Sequence, residues 1–181
     1  DVLDEKIECD VVEGIALPND SVDLITVSSG IEHFSNNENF LRNAFSVLRS
    51  GGYFIAQFPS RYAPFALANR LLPAKASRRV LDSAMGSTAK ELGFRAYYDR
   101  TNYHSFKGLT RQAGFNEIYH LPGYYSSSYF EFFVPFYLMS YVFDAVRFGM
   151  GIKELASYNL WVLQKPGSSA LEQPMQLYAW N

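Results

Sequence analysis

The residues of this chain best suited to chemistry stand in a few short stretches. Asp10 and Glu13 bracket two valines, Ser28-Ser29-Gly30 is followed at once by Glu32 and His33, and Tyr97-Tyr98-Asp99-Arg100 leads to Tyr103-His104. Imidazole titrates near neutrality, so His33 or His104 can take a proton from a bound hydroxyl, and each can equally be a hydrogen-bonding structural residue. Small residues such as Ser28, Ser29 and Gly30 let backbone groups approach a ligand closely, although they also suit an ordinary tight turn. Arg61, Arg70, Lys75, Arg78 and Arg79 lie near one another in sequence. They form either a patch for a phosphate, an acidic acceptor or an anionic membrane surface, or a solvated helix face.

These groups need elements to position them. Ile7 to Val12 and the β-branched run Asp23 to Ser28 read as strands, separated by the turn formers Leu17-Pro18-Asn19-Asp20-Ser21. Ser35 with Glu38 makes a capping box, Phe40, Leu41, Ala44, Phe45, Val47 and Leu48 recur at helical spacing, and Gly51-Gly52 is a stop signal. Tyr53 to Phe58 is then a second buried strand. Strand, helix and strand in this order imply a right-handed parallel crossover, in which a ligand sits at the carboxyl ends of the strands. Ser28, Ser29 and Gly30 are expected at such an end. Ser105 to Ala113 reads as a helix closed by Gly114, with strands at Phe115 to Leu121 and Tyr158 to Leu163. Phe130 to Phe148 is apolar and aromatic but interrupted by Glu131, Pro135, Asp144 and Arg147. Those charges argue against a spanning helix and leave a helix packed in the core, one over a pocket, or one lying on a membrane surface.

Composition bounds the class. The chain has 181 residues, 48% hydrophobic and 17% aromatic, enough for one α/β domain with a buried core. Its net charge of −2 hides a polarity: residues 1–60 carry ten acids and three bases, residues 61–111 three acids and ten bases. A negative total with no recognition motif excludes nucleic acid as the expected partner. Cys9, the single cysteine, rules out an internal disulfide and a thiolate zinc site, and favours the cytoplasm.

The run from Asp10 through Leu17-Pro18 to Asp23-Leu24-Ile25, then Ser28-Ser29-Gly30-Ile31-Glu32-His33-Phe34, then Phe40 to Gly51-Gly52, resembles the class I S-adenosylmethionine-dependent methyltransferases of type 11. Tyr97 to His104 and Arg111-Gln112-Ala113-Gly114-Phe115 extend the resemblance more loosely. It implies an α/β fold, a Rossmann-like mostly parallel sheet flanked by helices, and S-adenosyl-L-methionine as cofactor. An acid near the end of the third strand would meet adenine. Asp10 is favoured, with the Val11 amide beside it, and Glu13 is the alternative by spacing. Asp1 would take the ribose hydroxyls, and Ser28, Ser29, Gly30 and His33 would line the cofactor crevice.

The family's Gly-x-Gly-x-Gly loop has no counterpart in these residues, nor do its first strand and helix. The resemblance therefore implies a partial domain over 1–166, with helical acceptor-side insertions at 61–95 and 123–150 and a disordered tail at 167–181. Arg61, Tyr62, Tyr98 and Arg100 would contact the acceptor. That acceptor is expected to be a small or lipid-like molecule, with a peripheral membrane contact through 130–148. Such a fragment should bind cofactor poorly, be inactive and tend to associate through an uncovered apolar edge and face. The competing expectations are a binding module that kept the fold without turnover, and a peripheral membrane or lipid-contacting protein.

Overall fold

A computed structural model describes residues 5–64, 66–67, 96–126 and 134–167. Strands β1 (Val22–Ser28), β2 (Leu48–Pro59), β3 (Asn116–Gly123) and β4 (Tyr158–Gln164) form one sheet in the order β1-β2-β4-β3. β1 and β2 pair in parallel, while β4 runs against both β2 and β3. Three of the four strands therefore point the same way, as the sequence implied, and β4 alone reverses.

Helix α1 (Asn37–Val47) makes the crossover from β1 to β2, and α2 (Tyr103–Ala113) packs beside it. The core forms where their apolar stripes meet one face of the sheet. Phe40, Leu41 and Ala44 of α1 and Phe106 and Leu109 of α2 close over Phe54, Ala56, Phe58, Trp161 and Leu163. Phe40 lies 5.9 Å from Phe54, and Phe58 lies 4.6 Å from Phe106, ring to ring. The alternation of a strand sends neighbouring side chains to the other face. There Leu24, Tyr119 and Leu121 are exposed and Ile55 and Val162 are half-buried.

Several local expectations are corrected. The strand expected over Ile7 to Val12 does not form: from Asp10 the chain curls into a turn, the Asp10 carboxylate accepting the Val12 amide at 2.9 Å and its carbonyl the Glu13 and Gly14 amides. Asn43 of α1 donates to the carbonyls of Val11 and Val12, both at 3.0 Å, and holds that turn. The α1 cap is Asn36, whose side chain accepts the Asn39 amide, whereas Glu38 turns away to Arg42 and Arg100. Leu48 already begins β2, so Gly51 and Gly52 lie inside that strand. Gly51 takes φ +83°, and a Cβ on Gly52 would stand 2.9 Å from the Arg49 carbonyl, so both positions favour glycine for local reasons. Gly114 closes α2 as expected, at φ +100°.

Helix α3 (Val134–Met150) joins β3 to β4. It does not pack in the core: among its described side chains only Asp144 and Arg147 are buried, and Leu138, Met139, Val142, Phe143, Val146 and Met150 face outward. No helix among the described residues is long and apolar enough to cross a membrane. Asp1, Arg70, Lys75, Arg78, Arg79, most of the 61–95 insertion and the tail from residue 168 lie outside the described residues.

Candidate functional site

The carboxyl ends of β1 and β2 open side by side, and the chain leaving β1 builds a small cradle there. Ser28 pairs with Gln57, and Ser29 adopts φ +50° while its amide donates to the Gln57 carbonyl at 2.8 Å. Gly30 follows, where a Cβ would press within 3.1 Å of Val27. The single helical turn Ile31–His33 comes next, with Ile31 driven into the core as its anchor. Small side chains and one left-handed residue thus turn the backbone sharply and leave room above it.

Glu32, within this helical turn, is buried. Its carbonyl accepts the amides of Tyr97 and Tyr98 at 2.8 and 3.0 Å, strapping residues 96–98 across the turn. Its carboxyl group is buried: Oε1 lies 3.9 Å from His33 Nε2, while Oε2 has no hydrogen-bond partner. Burial pushes the Glu32 pKa up, against the opposing pull of its own backbone amide and of His33. An acid so placed can hold a proton, or accept a donor presented by a ligand, at a charge cost already set by the fold. The Glu-His pair after Ser-Ser-Gly was visible in the sequence. Its burial was not, since that depends on the strap from residue 97.

At the end of β2, Ser60 is buried and its amide donates to the Ser157 carbonyl. Arg61 lies over the Tyr62 ring at 5.7 Å, and its buried Nε has no hydrogen-bond partner. Gln57 also reaches Tyr125, whose ring stacks on Tyr158 at 4.8 Å. Burial, reinforced by Tyr158, raises the Tyr125 pKa, and the Gln57 hydrogen bond partly offsets this. The carboxyl ends of β1, β2 and β3 and the start of β4 therefore share one end of the sheet, a mouth bearing an acid, a histidine and several phenol rings.

The other expected site residues stand on other elements of the chain. Asp10 and Val11 lie on the turn held by Asn43, with Asp10 at the surface and Glu13 exposed beside it. Tyr98 is buried against Ala63 and Ala66 in a satellite cluster and adopts φ +50°. The Arg100 guanidinium is occupied by Glu38 at 3.3 Å and Asp99 at 3.4 Å. His104 is 83% exposed and is held by Glu154, 3.2 Å from its Nδ1. His33 and His104 thus answer to different carboxylates, Glu32 and Glu154. Among the described residues no group of three or more His, Cys, Asp or Glu could hold a metal ion.

Residues 3–56 match the family model of a methyltransferase domain. No curated protein sequence matches the chain. Among solved structures, it is similar to a Galdieria sulphuraria protein assigned as a sarcosine dimethylglycine methyltransferase, at TM-score 0.51 and 12% identity, covering 87% of this chain and 58% of that one. It is similar also to an S-adenosylmethionine-dependent methyltransferase from Mesorhizobium loti, at TM-score 0.50 and 14% identity over 86% of this chain and 67% of that one. A third is Haemonchus contortus phosphoethanolamine N-methyltransferase 2, bound to phosphomonomethylethanolamine and S-adenosylhomocysteine, at TM-score 0.50 and 12% identity over 87% and 36%. At such identities the likeness is one of fold. The chain spans 58% of the length of the first of these proteins.

Proposed function

From the premise that this chain carries the class I S-adenosylmethionine-dependent methyltransferase fold, we propose that it takes part in methyl transfer to a lipid-like acceptor at the mouth formed by β1 and β2. The observation that carries this reading is the Ser28 to His33 turn, a cradle of small residues beside a buried acid, inside the segment matched to a methyltransferase domain. The tyrosines around the mouth favour an acceptor that is partly apolar.

In this reading the Asp10 and Val11 turn receives adenine, with Glu13 as the second candidate acid, and Asp1, outside the described residues, would take the ribose hydroxyls. Ser28, Ser29 and Gly30 offer backbone along the cofactor. When bound, the cofactor supplies an electrophilic methyl group on sulfur. The residues of the mouth hold the acceptor in line and keep water out, and positioning of this kind contributes up to ~7 to 11 kcal/mol to a rate. With the cofactor bound, His33 would take the proton that the acceptor gives up. His33 is preferred to His104 because it adjoins Glu32 at the mouth, whereas His104 is held outside by Glu154. Arg61 and Tyr62 stand at the acceptor side. With Cys9 the single cysteine, a cytoplasmic setting suits this reading.

The test is transfer of labelled methyl groups to a lipid extract by the intact gene product. Label in the organic phase is the expected result. Tight binding of the demethylated cofactor without transfer to any extract would replace catalysis with a binding role. The 181 residues alone, which contain no Gly-x-Gly-x-Gly loop, are expected to bind the cofactor more weakly than micromolar by titration calorimetry.

A further inference from the structure

Helix α3 is amphipathic in the inverted sense. Its polar face is the buried one: Arg147 donates to the Leu155 carbonyl at 2.7 Å and to Ser126 Oγ at 2.5 Å, and is paired with Asp144. Ser126 in turn donates to Asp144 at 2.7 Å and lies 2.9 Å from Ser157. This cluster fastens one side of the helix to the end of β3 and the start of β4. On the other side Leu138, Met139, Val142, Phe143, Val146 and Met150 are each half exposed or more. At 100° per residue these positions, with Ala145 and Gly149, sweep about half the circumference. Asp144 and Arg147, the only charged residues of the helix, are both turned inward.

We propose that this face of α3 docks on a lipid bilayer, lying in the interface with the mouth of the sheet turned toward the membrane. A protein partner fits the face poorly. Protein interfaces carry about one hydrogen bond per 100–200 Å², and the arc from Leu138 to Met150 presents almost no side chain able to make one. Hydrocarbon asks for none. The flank supplies what an interfacial helix needs at the headgroup level: Tyr137 and Tyr141 stack along it at 6.4 Å, each an apolar ring with a polar tip. At roughly 25 Å, with a buried charge pair near its last turns, the helix is built to lie flat. Because α3 leaves from the end of β3 and returns to the start of β4, it sits at the same end of the sheet as Ser28 and Glu32. A docked bilayer would present its headgroups there.

Vesicle flotation of the intact protein, without cofactor, tests the docking independently of methyl transfer. Binding to pure phosphatidylcholine vesicles that persists at high salt is expected, because the contact is apolar. Val142→Glu with Val146→Glu should weaken it by about tenfold or more, with unchanged far-ultraviolet circular dichroism, while Gln112→Glu on α2 leaves binding intact. Three results would overturn the proposal. One is no flotation with either neutral or phosphatidylserine-containing vesicles. Another is salt-sensitive flotation that needs phosphatidylserine and survives the double substitution, which would assign it to the basic segment. The last is a dimer in sedimentation velocity that Val142→Glu dissolves while the unsubstituted protein ignores vesicles.

Discussion

Helix α1 turns Phe40, Leu41, Ala44 and Val47 inward and leaves its Glu38–Arg42 pair at the surface, whereas α3 turns Asp144 and Arg147 inward and leaves Leu138, Val142 and Val146 outside. Both have a helical period in their residue types. The period says that two faces exist, and the partner decides which face is buried. For α1 the partner is the apolar side of β2, so burial of its stripe stabilises the fold directly. For α3 the partners are hydroxyls and a carbonyl from Ser126, Ser157 and Leu155, so only the charged face finds complementary groups.

The sharpest way to break this contrast is to remove one half of the α3 clamp. Arg147→Ala leaves Asp144 buried without its cation and is expected to cost about 3–5 kcal/mol in urea unfolding. Replacing both Asp144 and Arg147 by leucine should cost far less or even stabilise, and an equal loss would mean that the pair is not acting as a unit. The counterpart in α1, Leu41→Ala, is expected to cost about 2–5 kcal/mol through the cavity left in the core. Asn36→Ala removes the α1 cap and should cost about 1 kcal/mol by the same measurement. At the bottom of the scale, Val142→Ser on the outer arc of α3 should change stability by no more than about 0.5 kcal/mol in the absence of vesicles. A loss as large as that of Leu41→Ala would show that protein, not solvent, covers the arc.

Proton linkage separates the mouth from the core in another way. Burial raises the Glu32 pKa, so the folded state favours its protonated form. That contribution is fully present below the ordinary glutamate pKa of about 4.3 and is lost as pH rises through the raised one. Glu32→Gln is therefore expected to be more stable than the parent chain at neutral pH, with the difference closing in acid. His120, packed at a 42° tilt against Trp161 and 3.0 Å from Asn159 Oδ1, is pushed down in pKa mainly by burial. Its effect is opposite in direction: stability is retained above the ordinary histidine pKa and falls as pH drops toward the lowered value.

Much of the sheet was legible in the residues themselves. The run at Asp23 to Ser28 and the strand at Tyr158 appear within a residue or two of where they were expected, because β-branched and aromatic runs between turn formers leave few alternatives. Gly114 closed its helix for a reason intrinsic to glycine. The misplacements are equally instructive. Ser35 with Glu38 satisfied the pattern of a capping box, but Arg42 and Arg100 offered Glu38 charged partners that a backbone amide could not match. Ile7 to Val12 has strand-like residues but forms no strand: its last residues enter the Asp10–Gly14 turn, where Asp10 and Asn43 take up the Val11 and Val12 backbone groups that a neighbouring strand would need.

The site divides along the same line. The order Ser-Ser-Gly, Glu-His and Leu-x-x-Gly-Gly by itself determined the crossover, the placing of Ser28 to Gly30 at the carboxyl end of a strand, and the resemblance to a methyltransferase, since each depends on local backbone demands. Only the tertiary structure decided that Glu32 is buried with an unpaired oxygen, that Arg100 and His104 are held by carboxylates, and that α3 faces outward. Burial and charge pairing depend on residues distant in the chain, such as Tyr97 over Glu32 or Glu154 beside His104, and no local pattern specifies which of them will meet.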